Sequence, residues 1–274
     1  MAESLPASAV IHQRQLSLFS MICRLPDDPL NAHARHTLVF AKQSTKSWFH
    51  QIRNLCLQYN LPHPLQLLDF PPSKSEFKRL VKARILDYWE ANLRALAAPE
   101  KLPSLKYFHP HLMSLCKPHP LWLTAGSSPY EVNKASVQAR MLSGRFRTEK
   151  LCSNWSSNPN GFCLAPTCTG VVEDIEHILL ECSSLEDTRA RLRSTWLAKS
   201  AANPFLHQLL IKILVSAPPT LCQFLLDPST LPEVIALTQI HGDNILRDVF
   251  YLTRTWCYSV YKSRQRIAGR PHFY

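Results

Sequence analysis

Cys163, Cys168, His177 and Cys182 stand in a Cys-x4-Cys-x8-His-x4-Cys arrangement. Thiolate and imidazole are the ligands that Zn²⁺ takes in a tetrahedral array, in sites that set a short Cys-to-Cys loop against a helix-borne pair. Gly161 and Pro166 supply tight backbone for the loop. The run from Asp174 to Cys182 reads as a helix, with Glu173 and Asp174 in a first turn where acids suit the helix dipole and His177 inside it. All four positions are filled and no His-Glu-x-x-His occurs, so the metal expected is one structural Zn²⁺ and not a catalytic one. Ordinary buried thiols and a surface histidine are the alternative. Against that alternative, the linker between the four residues is polar and would have little to hold it without a metal.

The other thiols and imidazoles are weaker candidates. Cys152 stands eleven residues before Cys163 and could compete as a ligand. Cys116 with His109, His111 and His119 forms a second patch, in a proline-punctuated stretch that favours turns. Cys23, Cys56, Cys222 and Cys257 fall on apolar helical stripes and read as core. Nine cysteines is an odd count, and the start Met1-Ala-Glu-Ser-Leu-Pro6 lacks the pattern of a secretory signal. Reduced thiols in an intracellular chain, nuclear or cytoplasmic, are therefore expected. No run of 18 apolar residues occurs, so no membrane span is expected.

Glycine excludes several chemistries. Only six are present, no two closer than nine residues, whereas a phosphate-cradling loop needs several within a few positions. The P-loop, the dinucleotide fingerprint and the Gly-x-Ser-x-Gly elbow are all missing. Asp27-Asp28 is bracketed by Pro26 and Pro29 and reads as a helix-opening turn, so no enzymatic centre is expected.

The formal charge of +11 favours a polyanionic partner, with RNA or DNA ahead of an acidic membrane surface. Arg140, Arg145, Arg147 and Lys150, with Phe146 and Trp155 interleaved, form the mixture of cations and aromatics that a single strand requires. Arg254, Lys262, Arg264, Arg266 and Arg270 repeat it beside Trp256, Tyr258 and Tyr261. A third stripe, Lys74, Lys78, Arg79, Lys82, Arg84 and Arg94, lies on one long predicted helix. A merely solvated face is the alternative for each.

The elements that carry these residues read as helices. Apolar spacing predicts one up to Leu25, a second opened by Asp28-Pro29, a third over about 45–59, and a long one from the Ser73/Glu76 capping box to Ala98. Another runs from Ser128 to a stop at Gly144, and helical spacing resumes after Asp174 to about 265. With 21 prolines, many short helices are expected. The fold class is mainly α, an irregular multi-helix bundle with a small zinc-knuckle insertion. Three regions are read: 1–127 helical, 128–200 a basic helix plus knuckle, and 201–274 helical with a basic tail.

The stretch Ser128-Pro-Tyr-Glu-Val-Asn-Lys-Ala-Ser-Val-Gln-Ala-Arg-Met-Leu-Ser-Gly-Arg-Phe-Arg-Thr148, followed by the knuckle and Glu173-Asp-Ile-Glu-His-Ile-Leu-Leu-Glu-Cys182, resembles the C-terminal region of reverse transcriptases from non-LTR (LINE-type) retrotransposons. Ser47-Trp-Phe-His-Gln-Ile-Arg-Asn-Leu-Cys56 through Tyr88-Trp-Glu90 resembles the helical part downstream of the polymerase thumb. The resemblance implies a zinc-binding element with Cys163, Cys168, His177 and Cys182 as ligands, and a role in holding template RNA or target DNA. Many members have two residues between the first two cysteines where this chain has four. The endonuclease and the polymerase fingers and palm are missing, which implies a non-catalytic fragment whose partners are nucleic acid and the missing polymerase domain. Rival readings are a zinc-stabilised helical protein-interaction module and a retrotransposon remnant without function.

Overall fold

The computed structural model describes residues 6–26, 28–40, 46–96, 105–109, 117–154 and 158–269. Asp27, His111, Cys116, Trp155 and Arg270 lie outside the described residues. The chain divides into two compact units, Ala2–Leu96 with Ser114–Lys117, and Ala97–Met113 with Pro118–Tyr274.

The N-terminal unit holds α1 (Ala7–Cys23), α2 (Pro29–Phe40), α3 (Trp48–Gln58), α4 (Pro64–Asp69) and α5 (Lys74–Leu96). Local chemistry starts each helix. Asp28 Oδ1 accepts from the Leu30 and Asn31 N–H groups at 3.0 and 2.9 Å, so it caps α2. Ser47 caps α3 through the His50 N–H. At α5, Ser73 and Glu76 form the reciprocal capping box read from the sequence. Helix α4 is not expected from the sequence: Leu61-Pro-His-Pro64 ends α3 but also opens a new helix, because Pro64 sits in its first turn and the His63 ring accepts from the Leu65 N–H. Leu16, Phe19, Ile52, Cys56, Phe77, Val81 and Ile85 form the core. Lys74, Lys78, Arg79 and Lys82 are exposed along α5.

The C-terminal unit holds α6 (Pro120–Leu123), α7 (Pro129–Leu142), α8 (Glu149–Cys152), α9 (Glu186–Ser200), α10 (Pro204–Leu214), α11 (Pro218–Leu226), α12 (Pro232–His241) and α13 (Asp243–Ile267). Here the prolines mostly start helices. Pro120, Pro129, Pro204, Pro218 and Pro232 each occupy a first turn, where the missing N–H would have had no partner. Gly144, at φ 64°, ends α7 as expected, and the Arg145 N–H closes back onto the Arg140 carbonyl.

The longest helix, α13, runs through the middle of this unit, packed against α7, α9, α11 and α12. It is buried on most sides, through Val249, Phe250, Trp256, Cys257 and Val260, and Trp256 lies 4.7 Å from Trp196 between ring centroids. Several polar groups inside the core find partners there. Gln138 Nε2 donates to the Leu225 and Leu226 carbonyls and to Thr253, and Arg254 donates to both Thr124 oxygens and pairs with Glu131 at 3.3 Å.

Ile178, Leu179 and Leu185 of the knuckle belong to the same apolar cluster as Trp196, Leu210, Phe224 and Trp256. Residues 128–200 and 201–274, read from the sequence as separate regions, therefore share one core. Among the described residues no strand forms, only an isolated antiparallel bridge between Phe162 and Val172, and no described helix is long and apolar enough to cross a membrane.

Candidate functional site

A short hairpin and one widened helical turn carry the four metal-ligand candidates. The Cys163 N–H donates to the Val171 carbonyl at 2.8 Å, and the Glu173 N–H donates to the Gly161 carbonyl at 2.9 Å. Between these arms the loop folds tightly, with the Cys168 N–H on the Ala165 carbonyl. Gly161 adopts φ 63°, and a Cβ there would lie 2.7 Å from the Lys150 backbone Cα, so α8 packs directly on the glycine.

The second pair departs from the expected α-helix. His177–Glu181 is a π-helical turn in which the Cys182 N–H donates to the His177 carbonyl at 2.7 Å. In an α-helix, residues five apart stand about 140° apart around the axis. The extra residue in the turn brings His177 and Cys182 toward one face. Glu173 and Asp174 also differ from their expected place in a first helical turn. Asp174 caps through the His177 N–H, and Glu173 ends the hairpin, buried.

The candidate ligand atoms of Cys163, Cys168, His177 and Cys182 all lie within 4.8 Å of one another, a group that could hold a metal ion. Cys182 Sγ is 3.9 Å from Cys163 Sγ and 3.7 Å from Cys168 Sγ, and all three are free thiols. A tetrahedron built on metal–sulfur bonds of about 2.3 Å has edges of about 3.8 Å, so the sulfurs already stand at ligand spacing. His177 is 4% exposed and neither ring nitrogen has a hydrogen-bond partner, although the Glu181 carboxylate lies 3.7 Å from Nδ1. A buried imidazole left without partners is costly, and coordination removes that cost. Cys152 is buried on α8 and is not in the group.

Electrostatics point the same way. Burial pushes the Cys163 thiol up to about 12, and burial with the adjacent Cys168 raises Cys182 above the ordinary thiol range. Burial also acts upward on Cys168, but hydrogen bonds from the Ser183 hydroxyl and backbone, from Cys182 and from Thr167 outweigh it and bring the thiol down to about 6. The environment therefore favours the thiolate at Cys168 and disfavours it at Cys163 and Cys182, and a divalent ion among the three would favour it at all of them. The N–H groups of Ala165, Ser183 and Ser184 already point at the three sulfurs, the outer support that metal thiolates use.

An ion-pair network that local spacing could not reveal fixes the knuckle in place. Arg264 of α13 pairs with Glu173 at 2.5 Å and with Glu149 of α8 at 3.6 Å, all three residues being buried. Glu173 also accepts from the Glu149 N–H, and the Lys150 N–H donates to the Glu173 carbonyl. Arg264 and Glu173 are 91 residues apart.

The basic residues read from the sequence separate by exposure. Arg140, Arg145 and Arg147 are exposed and have no ion-pair partner among the described residues, and Lys150 is exposed with Asp174 at 3.6 Å. Phe146, expected to stand among them as an aromatic platform, instead enters the core, 6.0 Å from Tyr261, with the Arg264 guanidinium 5.6 Å from its ring. Phe146 is buried at a bend, and Arg145 and Arg147 on either side of it are both exposed.

The second expected cluster breaks up. Arg254 and Arg264 are buried in ion pairs and Trp256 is core, because the helix that carries them lies at the centre of the unit; Lys262 and Arg266 remain exposed. In the second Cys/His patch, His119 Nε2 meets Asp227 at 3.2 Å and His109 meets Gln223 at 3.0 Å, so the described members serve packing.

Comparison with known protein families, with curated proteins and with solved structures gave no match to this chain.

Proposed function

We propose that the metal is one structural Zn²⁺, and that the chain is a non-catalytic single-stranded nucleic-acid binder, working on RNA or DNA as the post-polymerase region of a non-LTR reverse transcriptase does, inside the cell and beside the polymerase domain of a parent polyprotein. The observation that carries this reading is the placement of Arg145, Arg147 and Lys150. They are exposed on a segment fastened to the metal cluster by the Lys150 and Glu149 backbone bonds to Glu173. Rigid presentation lowers the ordering cost that flexible cations otherwise incur on binding. Arg140 extends the same exposed charge along the last turn of α7. Three sulfurs and one nitrogen in a closed set of four suit zinc and leave no open position for substrate.

The test combines metal analysis with a salt titration of RNA affinity. About one zinc per chain is expected, as for one closed tetrahedral site, and His177→Ala should lose it. Each phosphate neutralised on a single strand contributes roughly −0.7 to the slope of log K against log salt, so replacing Arg145 and Arg147 together with Gln should flatten the slope by about 1.4. Trp155→Ala should cost about 1–3 kcal/mol with little change in slope, since stacking releases few ions. An unchanged slope in the double arginine variant would mark a solvated face and turn the reading to a zinc-stabilised interaction module.

A further inference from the structure

A cavity of about 420 Å³ opens in the C-terminal unit beside the basic segment, and three residues of the segment 145–150, Phe146, Thr148 and Lys150, line it. Its volume falls within the range of about 300–1,000 Å³ that small organic groups occupy. Leu151 and Ile175 contribute apolar wall, and four charged side chains reach it: Lys106, Lys150, Asp174 and Glu176. Lys106 Nζ lies 2.6 Å from Glu176 Oε1, and Lys150 Nζ lies 3.6 Å from Asp174 Oδ2.

We propose that this cavity receives one unpaired base of a bound single strand, and that its carboxylates select a base bearing an exocyclic amine, cytosine over uracil. The inference rests on the nucleic-acid reading given above. Two lysines against two carboxylates leave the cavity with no net charge, so it offers a phosphate nothing that the neighbouring arginines do not offer better. A neutral, flat group with both donors and acceptors is what such a lining satisfies, and apolar walls suit the base faces. The exposed Arg145 and Arg147 flank Phe146 in sequence, so a backbone held on them runs along the cavity. Ionised carboxylates only accept hydrogen bonds. The N4 amine of cytosine donates to such a group, as Asp and Glu receive it on base edges elsewhere. Uracil presents its O4 acceptor at the same position, where it meets like polarity from the carboxylates and donors only from lysines already paired with them. Cytosine O2 and N3 can in turn accept from the lysines.

Glu176 and Asp174 side chains are 25% and 41% exposed, so water competes and the discrimination belongs at the low end of a base-edge contact, roughly tenfold. The experiment measures the affinity of the full zinc-loaded chain for oligocytidine and oligouridine RNAs of equal length at neutral pH, for the parent, for Glu176→Gln and for the Arg145/Arg147 double variant. The two bases differ at the position the carboxylates would read while their size and stacking faces are similar. The parent should prefer cytidine roughly tenfold, and Glu176→Gln, whose amide can donate to O4, should bring the ratio close to one with its zinc retained. The arginine variant should weaken both RNAs and keep the ratio. Equal affinities in the parent, with a salt slope that still answers to the arginines, would overturn the base pocket and leave the nucleic-acid reading standing. A cytidine preference that survives Glu176→Gln would overturn it too. Absence of salt-dependent binding to either RNA would overturn both.

Discussion

Removing the metal should unfold the whole C-terminal unit and not the knuckle alone. Ile178, Leu179 and Leu185 are 1%, 0% and 1% exposed and belong to the cluster that contains Trp196, Phe224 and Trp256. Burying each such side chain contributes about 1.5–3 kcal/mol, so letting the knuckle go forfeits roughly 5–9 kcal/mol. A domain has only about 5–15 kcal/mol in total, and zinc sites supply about 10–16 kcal/mol of apparent binding free energy at neutral pH. Thiol labelling in the presence of a strong chelator, read by peptide mass spectrometry, resolves the outcome residue by residue. In the metal-loaded protein Cys222 and Cys257 should stay unlabelled, being fully buried, with burial pushing Cys222 up to about 12 and Cys257 higher. After chelation they should label together with Cys163, Cys168 and Cys182. Cys23 and Cys56 sit in a separate core and should remain protected, with burial holding them at about 11 and about 12. Labelling confined to the three ligand cysteines would refute the argument, because it would show the knuckle opening without its neighbours.

Two further substitutions probe the frame around the site. Gly161→Ala places a Cβ 2.7 Å from the Lys150 Cα at a left-handed φ, so it should destabilise the C-terminal unit by at least the ~1–2 kcal/mol of the backbone strain; parent-like urea unfolding would contradict the packing. Arg264→Leu leaves Glu173 and Glu149 buried without their cation and should cost about 3–5 kcal/mol, with stability partly restored when Glu173→Leu is added; equal damage in the single and double variants would argue against the pairing.

What the sequence made legible was chiefly local. The Ser73/Glu76 capping box, the Asp28 cap, the stop at Gly144 and the spacing of the four ligand residues each depend on groups a few positions apart, and the structure places each where local chemistry puts it. Proline was harder to read. The same residue that ends one helix starts the next, and Pro64 shows how a terminator taken alone hides α4. The π turn was not legible as such, although a five-residue step from His177 to Cys182 is awkward for an α-helix whose two side chains must meet. Arg254 and Arg264 looked like surface charge because their acidic partners, Glu131, Glu149 and Glu173, lie some hundred residues away in the chain. No local pattern reports such a pairing.

The burial of Arg264 changes what the positive charge of this chain means. A cation that contacts phosphate must keep its head in water, and Arg264 has given that up for Glu173, Glu149 and the face of Phe146. In doing so it holds three points of one surface: the end of the hairpin that carries Cys163 and Cys168, the start of α8, and the residue between Arg145 and Arg147. Those two arginines have no acidic partner among the described residues, and both are exposed. Their separation from α13 is therefore a division of labour between cations that composition cannot distinguish. The buried arginine fixes the backbone, and the exposed pair stands on that backbone in solvent. On that argument the formal charge of +11 is a poor guide to which cations stay exposed, and the sequence Arg145-Phe146-Arg147 a better one. There one side chain turns inward as an anchor and its two neighbours stay exposed.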